Sequence, residues 1–201
     1  MSAFVRAHSE DLHVRAALDA AAREAGVDVH DLDAIVRALD AWSDGDVKVT
    51  PLKELQGMIW KDGFESGEIR ADLYDDAVDA LHRFHGAGTR LFIYSSGSVA
   101  AQQLLFGHAV AGDLRPLFKG YFDTTTGPKR EPASYVKIAR TIAVPPKRIV
   151  FFSDHPAELD AARAAGLQTV QLARPQDGVR AEGTHPSTDT FAGIELETVN
   201  V

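Results

Sequence analysis

From about Asp75 onward, short continuous apolar runs alternate with segments of helical periodicity, and this pattern narrows the fold more than any other feature. The runs are Leu91–Tyr94, Gly120–Phe122 and Ile149–Phe152, and a further strand with polar Gln171 in it is expected over Thr169–Leu172. Between and before them lie helical patterns over 77–87, 99–106, 133–142 and 158–165. Strands apolar at every position, rather than every second one, are covered on both faces. Right-handed crossovers place the intervening helices on those faces, so the expectation is α/β: a doubly wound parallel sheet. A further weak strand is expected near Phe191–Ile194.

The first part of the chain has a different character. Apolar residues at helical spacing predict a helix over Val5–Ala25 ended by Gly26, and a second over Val29–Trp42 ended by Ser43-Asp44-Gly45-Asp46. Thr50 reads as an N-cap with Pro51 at the first helical position, opening a helix through Trp60. Leu55, Met58 and Trp60 are expected in its core, with Asp62-Gly63-Phe64 and Ser66-Gly67-Glu68 as turn punctuation. The change of style divides the chain into a helical domain, 1–74, and an α/β domain, 75–201.

Composition excludes more than it assigns. There are no cysteines, which removes disulfides, thiolate nucleophiles and cysteine-ligated zinc. A net charge of −8 argues against a nucleic-acid-binding surface but not against a small basic site. The opening residues carry charges every few positions and lack a signal-peptide core, and no run reaches the roughly 20 apolar residues of a membrane span. A cytoplasmic protein with no membrane or nucleic-acid partner is expected.

Ligands of open α/β sheets bind at the carboxyl ends of the strands, and three ends here carry suggestive residues. Leu91–Tyr94 runs into Ser95-Ser96-Gly97-Ser98, hydroxyls and turn amides that suit an anion and equally suit a helix cap. After Phe122 comes Thr126-Gly127-Pro128-Lys129, where the lysine either faces a phosphoryl oxygen or is solvated. Phe152 runs into Ser153-Asp154, with Glu158 four residues on. Those carboxylates suit a hard divalent cation, and equally suit capping of the next helix.

The order Ser, Lys, Asp on successive strands resembles motifs two, three and four of the haloacid-dehalogenase-like phosphatases. PLKELQGMIWKDGFESGEI (51–69), IYSSGSVAAQQLLFGH (93–108) and GYFDTTTGPKREPASY (120–135) narrow the likeness to the enolase-phosphatase E1 family, also called acireductone synthase. The resemblance runs from the first residues to about Pro175. It implies a sheet core with a helical cap, 1–74. The implied activity is a magnesium-dependent phosphoric monoester hydrolase of methionine salvage. Such an enzyme enolises and then dephosphorylates 2,3-diketo-5-methylthiopentyl-1-phosphate to the acireductone. It further implies that Ser95 and Ser96 contact substrate, that Lys129 binds phosphate and serves catalysis, and that Asp154 ligates Mg2+ with Glu158 in support. The partner expected is a small phosphorylated substrate, and the protein a monomer.

One element of the family pattern has no counterpart in these residues. The family opens with a strand ending in an Asp-x-Glu-Gly-Thr motif, whose first aspartate is the nucleophile. Here the sequence begins at MSAFVRAH, which resembles the early cap helix. Asp31 and Asp33 lie in a helical pattern, and Asp44 and Asp46 in a turn. Asp123 follows an apolar pair but precedes the lysine motif, on the wrong strand. Without its first central strand, the sheet is expected either to leave the two flanking strands about twice the usual ~4.8 Å apart or to pull them together. The activity of such a chain is expected to be impaired, which opens the alternative of a non-catalytic binder of a phosphorylated metabolite. A phosphatase with another substrate is the remaining alternative. His82 and His85 read as a solvated helix face, His108 as a helix-end residue and His155 as part of a turn.

Overall fold

The computed structural model describes residues 1–196. It separates into two compact units, Met1–Arg70 and Ala71–Val201.

The first unit contains four helices: α1 (Ser2–His8), α2 (Leu12–Ala25), α3 (Leu32–Asp44) and α4 (Thr50–Ser66). Its core is built from Val5, Leu18, Ile35, Leu39 and Leu55, each at most 1% exposed. Helix α2 stops at Gly26, whose φ of 67° is the left-handed conformation in which glycine has no Cβ penalty. Asp31 caps α3 by accepting the Ala34 amide at 2.9 Å.

Four expectations for this unit are corrected. The single helix over Val5–Ala25 is two helices, broken at Ser9-Glu10-Asp11. The seven-residue spacing of Val5 and Leu12 imitates two helical turns, yet Leu12 is 81% exposed. Helix α4 continues through Gly63 to Ser66, because the absent Cβ there makes room for Ile69, whose Cδ1 would lie 2.6 Å from it. The N-cap of α4 is Val49, one residue before Thr50. Leu55 is buried and Met58 packs on the core, but Trp60 is half exposed.

The second unit alternates helix and strand as the apolar runs require: α5 (Asp75–Gly86), β1 (Leu91–Tyr94), α6 (Val99–Gly107), β2 (Phe118–Phe122), α7 (Pro132–Thr141), β3 (Val150–Ser153), α8 (Pro156–Ala164), β4 (Gln168–Leu172) and β5 (Ser187–Thr188). All pairings between these strands are parallel: β1 with β2, β3 with β4, and β4 with β5. The strands nevertheless form two separate sheets, β1-β2 and β3-β4-β5. Strands β1 and β3 do not slide into register with each other. Among the described residues, each keeps one backbone edge without a strand partner, and their apolar residues are half-buried. What joins them is Tyr135 of α7, whose ring packs against Tyr94 of β1 (5.6 Å) and Phe151 of β3 (5.1 Å). No strand forms at Phe191–Ile194, because the Phe191 amide donates to the Asp76 carboxylate at 2.7 Å rather than to a neighbouring strand.

Asp76 is the centre of a latch that holds this last stretch to α5. It accepts Arg174 Nη2 on both oxygens (2.9 and 2.8 Å) and the Thr190 hydroxyl at 2.8 Å. Arg174 also stacks over Tyr74, 4.0 Å from the ring centroid, and the Tyr74 hydroxyl bonds Asp177. Among the described residues, no helix is long and apolar enough to cross a membrane.

Candidate functional site

The loop 127–129, between β2 and α7, is held by its own carbonyls. Tyr94 Oη donates to Gly127 O (2.7 Å), Ser134 Oγ to Pro128 O (2.8 Å) and Tyr135 Oη to Lys129 O (2.6 Å). Lys137 Nζ adds a bond to Thr126 O at 3.2 Å. Three successive carbonyls so engaged leave the loop little freedom to reorient Lys129. Burial, and then the negative charge of Glu158, push the Tyr135 phenol above its ordinary value, so it remains a donor. Burial raises the Tyr94 phenol too. Gly127 has no substitute here: its φ is +149°, and a Cβ would lie 2.2 Å from Ser134 Oγ.

Lys129 Nζ lies 2.6 Å from Glu158 Oε2, with the two side chains only 20% and 12% exposed. It also sits 6.0 Å from the centroid of the Tyr94 ring, within cation–π reach. Glu158 is in the first turn of α8, and its Oε2 accepts Ser153 Oγ at 2.9 Å. Ser153, buried at the end of β3, in turn accepts the His155 amide at 3.1 Å. The last residues of β1 and β3, Tyr94 and Ser153, therefore converge on one lysine–glutamate pair.

At the end of β1, the Ser95 amide donates to Phe122 O (3.1 Å) and its hydroxyl accepts the Gly97 amide (3.2 Å). Ser98 caps α6 through the Ala101 amide at 3.2 Å. Gln102, 5% exposed, donates Nε2 to Gly97 O (2.8 Å) and Phe122 O (3.0 Å), tying the serine loop to β2. Asp123 is spent on the same turn. Its carboxylate accepts Val99 N, Thr125 N and Thr125 Oγ1, and the Thr125 bonds hold it below the usual carboxylate range.

Of the residues singled out in the sequence, the structure joins Lys129 and Glu158 directly. Ser95 is half-buried and adjoins Tyr94; Ser96 and Asp154 are exposed, Asp154 immediately beyond Ser153. Among the described residues, no hydrogen bond or ion pair links Ser95, Ser96 or Asp154 to Lys129. His82 and His85 are exposed on α5, a solvated face. The clamp of Tyr94, Ser134 and Tyr135 was not picked out in the sequence. The hydroxyls of Ser134-Tyr135, five and six residues past the lysine, were the available signal.

A divalent cation meets an incomplete donor set. Glu158 is committed to Lys129 and Ser153, and no group of three or more His, Cys, Asp or Glu is placed to hold a metal among the described residues. Of the residues expected to bind the metal, Asp154 offers an exposed, hard carboxylate oxygen. That fits an ion such as magnesium, which keeps several waters and takes substrate phosphoryl oxygens, rather than one needing an all-protein cage.

Residues 10–166 match the family model described as haloacid dehalogenase-like hydrolase. The chain is 52% identical over 194 residues to an enolase-phosphatase E1 of Pseudomonas fluorescens, covering 96% of this chain and 84% of that protein. It is 48% identical to an enolase-phosphatase E1 of Azotobacter vinelandii, with 97% and 85% covered. Among solved structures, the UTR4 protein of Saccharomyces cerevisiae superposes with a TM-score of 0.81 at 35% identity, over 94% of this chain and 85% of that one. CbbY of Rhodobacter sphaeroides, at 22% identity and a TM-score of 0.58, shares the fold.

Proposed function

Because the chain belongs to the enolase-phosphatase E1 family of haloacid dehalogenase-like hydrolases, we propose that it is a phosphatase of methionine salvage acting on 2,3-diketo-5-methylthiopentyl-1-phosphate. The observation that supports the site assignment is the clamped Lys129, paired with Glu158 where Tyr94 and Ser153, the last residues of β1 and β3, converge.

In this reading, enolisation moves a proton from the carbon beside a carbonyl to the carbonyl oxygen. The phosphate ester P–O bond then breaks, water supplies the oxygen gained by phosphorus, and the acireductone keeps the former ester oxygen. Lys129 is the charge that faces the phosphoryl oxygens. Its loop is fixed before substrate arrives, so little reorganisation accompanies the reaction. The Ser95 and Ser96 hydroxyls donate to substrate oxygens. Glu158 aims the lysine, and Ser153 orients Glu158. Asp154 would hold magnesium, which offsets negative charge on the phosphoryl group.

The deciding assay measures phosphate release from the diketo phosphate with magnesium present, for the parent and for Lys129→Met and Asp154→Ala. Turnover lost in both variants supports the proposal. Binding without turnover in the parent supports the alternative, a phosphorylated-metabolite binder. Turnover unaffected by either substitution places the chemistry elsewhere and refutes the site.

A further inference from the structure

Two parallel rungs connect the lysine loop to the start of α8. The first is Lys129–Glu158, at 2.6 Å. The second joins the neighbouring residue, Arg130, to His155: Nη2 lies 2.8 Å from the ring Nε2. The rungs look alike and differ in charge. The first closes a cation on a carboxylate and is neutral. In the second, a guanidinium donates to a ring nitrogen that must therefore be without a proton, so the imidazole is neutral and the rung keeps a full positive charge.

We propose that Arg130 is a second anion-binding residue of the Lys129 site, positioned by His155, and that it supplies the positive charge Glu158 cancels at Lys129. The proposal rests on the phosphoryl-site reading above. Among the described residues, no carboxylate oxygen is recorded within ion-pair distance of Arg130. One of its five N–H donors is used by His155, which leaves four in a planar fork whose geometry matches phosphate. Arg130 is exposed, so an incoming anion can reach it.

His155 is held in a way that favours this role. Its amide is bound by Ser153 Oγ, and its carbonyl accepts the Glu158 amide at 3.0 Å, which fixes the backbone at the N-cap of α8. With Nε2 accepting from Arg130, the ring proton is on Nδ1, which is buried and has no partner. The ring thus forgoes a bond at one nitrogen while presenting the other to the guanidinium. An acidic side chain in the same place would hold the arginine more strongly and would neutralise it, as Glu158 does Lys129. A neutral acceptor aims the cation and leaves its charge for a ligand.

The test uses the full chain and inorganic phosphate as the probe, with affinity measured by titration calorimetry at fixed pH over a series of salt concentrations. Arg130→Gln is expected to weaken phosphate binding by roughly ten- to a hundredfold, the range of a charge-assisted hydrogen bond. It should also flatten the salt dependence. Arg130→Lys, which keeps the charge and loses the fork, is expected to fall between. His155→Gln places an amide oxygen near the ring Nε2 position and is expected to retain affinity, whereas His155→Leu is expected to lose it; that rescue separates positioning from mere folding. If the parent binds phosphate and Arg130→Gln binds it equally well, this proposal is overturned while the phosphoryl site stands. If the parent does not bind phosphate, the phosphoryl site fails and this proposal with it. Equal losses in His155→Gln and His155→Leu would remove the positioning role.

Discussion

Replacing Asp76 by Asn tests the latch that ties the end of the sheet to α5. The Asp76 carboxylate accepts four donor contacts: two from Arg174, one from Thr190 and one from the Phe191 amide. Burial raises its pKa, but the bonds from Arg174, Phe191 and Thr190, with the Arg174 charge, outweigh burial and bring it down to about 2 from 3.8. At 1.36 kcal/mol per unit, the ionised latch is worth about 2 kcal/mol. The Asp76 side chain is 22% exposed and Arg174 is 9% exposed, so the variant also strands a buried guanidinium, whose loss of partner costs roughly 3 kcal/mol. An Asn oxygen still accepts, but its amide group points a donor at donors. The expected loss for Asp76→Asn is therefore about 2–4 kcal/mol at neutral pH. The sign with pH follows from the depressed pKa. The contribution is complete above the unfolded value of about 3.8 and drains away as pH falls toward about 2, so parent and variant should converge in acid. Both tryptophans, Trp42 and Trp60, lie in the first unit, so their fluorescence does not report on this region. Hydrogen exchange of peptides covering 168–194, at several pH values, does. A loss below about 1 kcal/mol, or one equally large at pH 3 and pH 7, would refute the reasoning.

Two further substitutions probe the lysine site. Gly127→Ala puts a methyl group 2.2 Å from Ser134 Oγ at a φ of +149°, and should cost roughly 1–3 kcal/mol and weaken phosphate binding by displacing Lys129. Urea unfolding and phosphate titration check it, and additivity with Ser134→Ala would count against the stated clash. Glu158→Gln removes the counter-charge of Lys129 while keeping an acceptor for Ser153. Phosphate should bind severalfold more tightly at low salt while stability falls, and weaker phosphate binding would mean that Glu158 matters chiefly by aiming the lysine.

The alternation of strand and helix was legible because a strand covered on both faces is apolar at successive positions, and β1 and β3 fall on the runs that show it. The first helix was misread because Val5 and Leu12 keep a helical interval across a polar break, and interval alone does not say which side chain reaches the core. Phe191–Ile194 was misread as a strand because its apolar content is real, while its amide is claimed by Asp76, more than a hundred residues earlier. At the site, Lys129 and Glu158 were each visible as a cation and a carboxylate in the segments that follow β2 and β3. That they pair was not visible. Arg130 reads in sequence as one more exposed basic residue, and only the ring of His155 beside it gives it a direction.

The sequence alone determined the family, the α/β order of the second unit and the residue types available at its strand ends, because these depend on local periodicity and on residues close together along the chain. Tertiary structure decided that the strands form two sheets rather than one, that Lys129 is neutralised and Arg130 is not, and that Asp76 anchors the last stretch of the described chain. Each of those depends on which groups, distant in sequence, come within hydrogen-bonding distance. Hydrogen bonds and ion pairs act over a few ångströms of space and take no account of separation along the chain.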